Sequence, residues 1–179
     1  MRALFGLAAI LASTSVIAQD HHPYAGMQER GIKGLSDQQI ADLRGGRGMG
    51  LALPAELNGY PGPAHVLENA DALGLTADQR ARTQALFHAM KAEAVTVGEQ
   101  LIEQEATLDR LFAEGRVDST SLAAMTREIG LTEGRLRQTH LKYHLAMMDV
   151  LSQSQVEEYR KLRGYDNTRN DVQNKHHHE

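Results

Sequence analysis

The sequence predicts an all-α protein built on one long antiparallel helical hairpin with short flanking helices. Two long apolar seams of helical period and the break between them carry this expectation. The first seam runs from Thr76 to about Glu114 and holds Leu86, Met90, Ala94, Val97, Leu101, Leu108 and Phe112 at alternating steps of three and four. Only Glu105 interrupts it, and a carboxylate on an apolar seam calls for a partner. The second starts near Asp118 and carries Leu122, Met125, Ile129, Leu136, Tyr143, Met147 and Val150. The short stretch "GRVD" at 115–118 joins them, so the two helices pack as a hairpin. At about 1.5 Å per residue each helix reaches roughly 50 Å. A lone hairpin of that length buries only one stripe of each helix, so it needs a further layer, from the short helices or from a second chain.

The remaining elements follow from caps and breakers. "LSDQQ" at 35–39, "LTADQ" at 75–79 and "LSQSQ" at 151–155 share the form L-[ST]-x-x-Q. In each, Ser36, Thr76 or Ser152 caps a helix start while Gln39, Gln79 or Gln155 reaches back from three residues later. This places a short helix over Ser36 to Leu43, the first long helix at Thr76, and a last short helix from Ser152 to about Arg163, stopped by Gly164. "HVLENADAL" at 65–73 forms another short helix, so four helices fill 64–165. Between these, residues 43–63 are rich in Gly and Pro and read as an irregular wrap. Its glycines lack the Gly-Lys-Ser/Thr ending of a phosphate loop and are turn formers.

The chain opens "MRALFGLAAILASTSVIAQD", a charged start, an apolar run and small residues, which is the pattern of a secretory signal peptide. Val16 and Ala18 occupy the −3 and −1 places of its cleavage site, so the mature chain begins at Gln19. The destination is outside the cytoplasm, the periplasm in a Gram-negative host. There is no cysteine, so disulfides neither staple nor regulate the fold. Lys and Arg number 19 against 23 Asp and Glu, a net charge of −4, which argues against nucleic acid as a partner. The organisation expected is a signal peptide at 1–18, an extension and wrap at 19–63, the hairpin domain at 64–165, and a disordered polar tail at 166–179.

Candidate chemistry concentrates in "THLKYHLAMM" at 139–148, where His140, His144 and Met148 recur every four residues. Hairpin register sets His140 level with Glu93 and His144 level with His88. His88 lies two residues from both Leu86 and Met90, nearly opposite the seam, whereas Glu93 lies three after Met90 and four before Val97. Imidazole, carboxylate and thioether together suit nickel, cobalt, copper or zinc. Two readings stand side by side: His140 and His144 share an ion, or His140 fills a core position with His144 at its solvated edge. A second donor set lies at the mature amino terminus, where "QDHH" puts His21 third from a free amine, a square-planar nitrogen arrangement for Cu(II) or Ni(II). His176, His177 and His178 form an imidazole cluster near the other end.

A helical hairpin behind a signal peptide, with L-[ST]-x-x-Q at its start and again after its second helix, resembles the Spy/CpxP (LTxxQ-motif) periplasmic family. It is also similar to the CnrX-like periplasmic heavy-metal sensors of the same superfamily. The resemblance covers roughly 65 to 165. It implies a cradle-shaped homodimer, and either ATP-independent chaperoning of unfolded envelope proteins or metal binding through His, Glu and Met with a membrane-bound signalling partner. His144 followed by Met148 matches the sensors' pattern before the second motif. The paired His-x-x-x-His of the sensors' first helix is met only by His88, with Gln84 four residues before it.

No nucleophile and base are brought together, and no organic cofactor motif is present, so an enzyme is not expected. The expectation is a periplasmic transition-metal-binding protein acting in heavy-metal sensing or resistance, with the chaperone as the alternative.

Overall fold

Four of the described α-helices begin where the sequence supplies a side-chain cap. The computed structural model describes residues 23–165, all helix, turn and irregular backbone without a strand. After a 3-10 turn at Met27–Glu29 come α1 (Asp37–Arg44), α2 (Leu53–Glu56), α3 (Pro63–Glu68), α4 (Ala77–Ala113), α5 (Ser119–Met148) and α6 (Gln153–Leu162). Ser36, Thr76 and Ser152 each accept the backbone N–H of the glutamine three residues on, and that glutamine accepts the cap residue's own N–H. Asp118 and Ser121 make the same reciprocal pair at the start of α5. The expected signal peptide at 1–18, His21 and the tail at 166–179 lie outside the described residues.

The L-[ST]-x-x-Q motif does more than cap. Gln79 and Gln155 meet amide to amide, Gln79 Nε2 donating to Gln155 Oε1 at 2.8 Å and Gln155 Nε2 donating to Gln79 Oε1 at 3.0 Å. The second N–H of Gln79 goes to the Val150 carbonyl (2.9 Å) and that of Gln155 to the Leu73 carbonyl (3.2 Å). With the two cap bonds included, each amide donates twice and accepts twice. A glutamate cannot do this, because an ionised carboxylate has no donor. Two copies of the motif thus lock the start of α4 to the start of α6, whereas Gln39 serves only its own cap.

α4 and α5 pack along one another as the hairpin. Its third layer comes from the chain's own amino-terminal segment. Leu35 and Leu43, with Ile32, Ile40 and Leu51 beside them, join Ala94, Leu101 and Ile102 of α4 and Ile129 and Leu136 of α5 in one core cluster. Close approach of α1 to α4 depends on Gly98, where a Cβ would lie 2.8 Å from the Leu43 carbonyl oxygen. A second cluster closes the open end of the hairpin: Val66 of α3 and Tyr159 of α6 pack with Leu73, Met147, Val150 and Leu151.

Toward the hairpin turn the layer thins. The segment before α1 reaches as far as Asp109, which pairs with Lys33 at 3.2 Å. Beyond it Phe112 and Leu122 stay exposed although both lie on the apolar seam. Glu105 sits under Gly34, whose absent side chain leaves room for the carboxylate: a Cβ there would lie 2.9 Å from Oε2. Partial burial first, and the Glu133 charge second, push the Glu105 carboxyl above its ordinary range.

Candidate metal site

Between the two apolar clusters the seam of α5 turns polar. Leu136 belongs to the first cluster and Met147 to the second, and His140 and His144 fill the positions between them. Both histidines are buried, His140 at 3 % exposure and His144 at 7 %. Across from them on α4, Met90 is also buried. These three side chains form the hairpin side of a cavity of about 290 Å³.

The wrap supplies the other side. Glycines at positive φ, Gly46 (+62°), Gly50 (+78°) and Gly59 (+87°), turn the chain back on itself three times. Gly48, Met49, Glu56, Gly62 and His65 thereby come to line the same cavity. Proline at the start of α2 and of α3 fits the first helical turn, where its missing N–H is not needed.

His144 is held in one tautomer. Its Nδ1 lies 2.7 Å from the Tyr60 carbonyl oxygen, which can only accept, so Nδ1 carries the proton and Nε2 keeps its lone pair. That is the arrangement in which a backbone carbonyl orients a ligating imidazole. Room around Nε2 comes from Gly62, where a Cβ would stand 2.7 Å from Cε1 and 2.9 Å from Nε2. His140 is less committed: its Nε2 is buried and has no hydrogen-bond partner in the protein. Burial, and then the neighbouring His144 charge, lower its pKa below the ordinary value, which favours the neutral form that binds metal.

Glu56 is the buried acid of the cavity. Its Oε1 accepts a short bond from the Tyr159 hydroxyl and a second from Tyr165 at 3.1 Å, with Arg163 Nε 3.4 Å away. Burial and this carboxylate together drive the Tyr159 pKa far upward, so the phenol stays protonated as the donor. Its Oε2 has no hydrogen-bond partner and lies 3.8 Å from His144 Nδ1. Glu56 therefore pins α2 to α6 and faces His144 on the nitrogen already bound to Tyr60.

The structure brings His140 and His144 to one cavity, and places Glu93, His88 and Met148 elsewhere. Glu93 is level with them but turned aside, accepting from Thr139 (3.1 Å), Lys142 (2.7 Å) and Tyr143 (3.2 Å). The hydrogen bond from Lys142 is the largest cause holding the Glu93 carboxyl below its usual range. His88 is exposed, its ring 5.7 Å from that of Phe87, and Met148 is exposed near the end of α5. Neither lines the cavity. Among the described residues no three His, Asp or Glu side chains converge closely enough to hold an ion by themselves. The wrap donors Met49 and Glu56 escape a sequence reading because nothing in a Gly/Pro-rich stretch fixes where it folds back, and the placing of His65, in the short helix that follows, depends on the same fold-back. The one signal was a carboxylate within the apolar "LPAEL" at 53–57.

Comparison of the chain with protein families, curated proteins and solved structures gives no match.

Proposed function

We propose that the protein binds a transition-metal ion at His140 and His144 and serves in heavy-metal sensing or resistance in the bacterial envelope. The observation that carries this reading is the state of the two buried imidazoles. One has Nδ1 tied to a backbone carbonyl with Nε2 left as a lone-pair donor, and the other has a buried nitrogen without a partner, both on one cavity. A buried polar atom left idle is costly in a core, and a ligand that engages it recovers that cost. The resemblance to LTxxQ-motif periplasmic proteins supports the same reading, as does the signal-like start of the sequence, and both favour a homodimer and a membrane-bound signalling partner.

Titration calorimetry with Ni(II), Cu(II), Co(II) and Zn(II) tests it, comparing the mature chain with its His140→Ala/His144→Ala variant. His21 and the three tail histidines are present in both, so the difference isolates the cavity. Binding of about one ion per chain that disappears in the variant is the expected result. Identical heats in the two proteins would sink the proposal.

A second reading, an ATP-independent chaperone, draws on Leu131 and Leu145, exposed on one face of α5 at 64 % and 60 %. They stand singly rather than as a continuous patch, which is ordinary for a soluble surface. Suppression of aggregation of an unfolded client without metal, lost in Leu131→Ser/Leu145→Ser, would move this reading to first place.

A further inference from the structure

We infer that the ion for which the cavity is built is Cu(I), held by the imidazoles of His140 and His144 with the thioethers of Met90 and Met49; this rests on the metal reading above. The donor chemistry of the cavity points to it. Beyond the two imidazoles no carboxylate completes a set, since Glu56 approaches His144 from the Nδ1 side and its Oε1 is taken by two phenols and a guanidinium. The third imidazole on the cavity, His65, is part-exposed with its Nδ1 on Glu68 at 2.8 Å, and what the cavity adds besides is sulfur, from Met90 on α4 and Met49 on the wrap.

Thioether sulfur is a soft donor that selects Cu(I) over the harder divalent ions. Charge leads to the same choice. Two neutral imidazoles and two thioethers bring no negative charge, and the carboxylate on the cavity, Glu56, already faces the Arg163 guanidinium at 3.4 Å, so a monovalent ion leaves less uncompensated charge in a buried site than a divalent one.

Met49 carries the second, independent observation. Among the described residues it is the one non-glycine with positive φ, at 44°, between Gly48 and Gly50. A long side chain in this conformation is strained and persists only where the surroundings hold it, a pattern that clusters at ligand sites. Here Met49 stands in the wall between this cavity and a neighbouring one lined by Leu43, Leu101 and Leu136, and 42 % of the residue stays open to solvent, the place for a donor that meets an incoming ion first. Met90 waits inside at 8 % exposure.

The test is an anaerobic Cu(I) titration of the whole mature chain against a chromophoric Cu(I) chelator, with X-ray absorption on the loaded protein. The chain has no cysteine, and its histidine-bearing ends, 19–22 and 166–179, contain no methionine, so a sulfur shell cannot come from them. A sulfur contribution to the copper shell is expected, with Cu(I) affinity falling at least tenfold in Met49→Leu and in Met90→Leu and Ni(II) and Zn(II) binding unchanged. Leucine nearly conserves the volume, and the urea midpoint of each variant checks that it folds. A shell of nitrogen and oxygen alone, or unchanged Cu(I) affinity in the double methionine variant, overturns the thioether inference. If Ni(II) or Zn(II) still distinguishes the wild type from His140→Ala/His144→Ala, the metal reading survives that failure. If no ion does, both fall together.

Discussion

At the open end of the hairpin the amides of Gln79 and Gln155 use all their donors and acceptors. Not far along α5, His140 Nε2 and Glu56 Oε2 are buried with none. Both clusters interrupt apolar packing with polar groups from distant parts of the chain. The difference is one of completeness: the first is closed on itself and stabilises, the second leaves two buried polar atoms without partners at a cost in stability. Satisfied networks specify one structure, and partly satisfied ones ask what else was meant to be there.

The comparison breaks most sharply at Gln155. Gln155→Glu removes two donors, leaves the Leu73 carbonyl without its partner and sets a carboxylate against the Gln79 amide oxygen, for a loss of about 3 kcal/mol. Gln39→Glu in the unpaired copy keeps the cap acceptor, and its effect stays within about 0.5 kcal/mol. Urea denaturation of the two variants side by side measures the gap, and equal midpoints would mean that the amide pair is not what distinguishes the motifs.

Next in size is Gly62→Ala. Its Cβ would stand 2.7 Å from the His144 ring, so either the ring or the wrap must shift, at about 2 kcal/mol. Metal affinity falls with it, because the Nε2 approach is filled. An alanine variant that keeps both stability and affinity would show that the wrap yields freely there.

On the open cluster the expectation reverses. His140→Leu takes away a buried nitrogen with no partner and continues the apolar seam, so stability without metal stays within about 1 kcal/mol of the wild type or rises. Metal-induced stabilisation disappears. A large loss in denaturation midpoint would mean that His140 is a satisfied core residue after all.

The smallest effect is on pH dependence. The folded pKa of His140 is depressed below 6.5, so as pH falls the unfolded chain takes up this proton first. Its contribution to stability is intact above pH 6.5 and is lost as pH falls below it toward the folded value. Wild type should therefore weaken relative to His140→Leu as pH falls below 6.5, and parallel profiles would remove His140 as the source.

Periodicity and caps made the hairpin legible. Seams at steps of three and four gave α4 and α5 nearly residue for residue, because a helix reports its buried face in its own sequence. The same register placed His140 level with Glu93 correctly along the axis. It could not say that Glu93 turns to Thr139, Lys142 and Tyr143, since the angular position of one residue near a seam edge depends on local side-chain partners. The wrap was opaque for a different reason. Its path is set by Gly46, Gly50 and Gly59 and by docking onto α4 and α5, and none of this leaves a periodic trace. Hence the far wall of the cavity, Met49, Glu56 and Gly62, came from the stretch with the least pattern, and His65 follows directly after it.

Glu56 and Tyr60 have a consequence for how the chain reaches this state. The Tyr60 carbonyl meets a ring 84 residues later, and the Glu56 carboxylate meets Tyr159 across 103. The wrap leaves the ribosome long before the surface it docks on exists, and its closing contacts wait for the whole hairpin. For a helical protein that is a slow geometry, because distant ends must be brought together before any contact rewards it. A completed cavity is thus also a certificate that the chain has finished folding, and an ion that needs both its walls will bind only to chains that hold one.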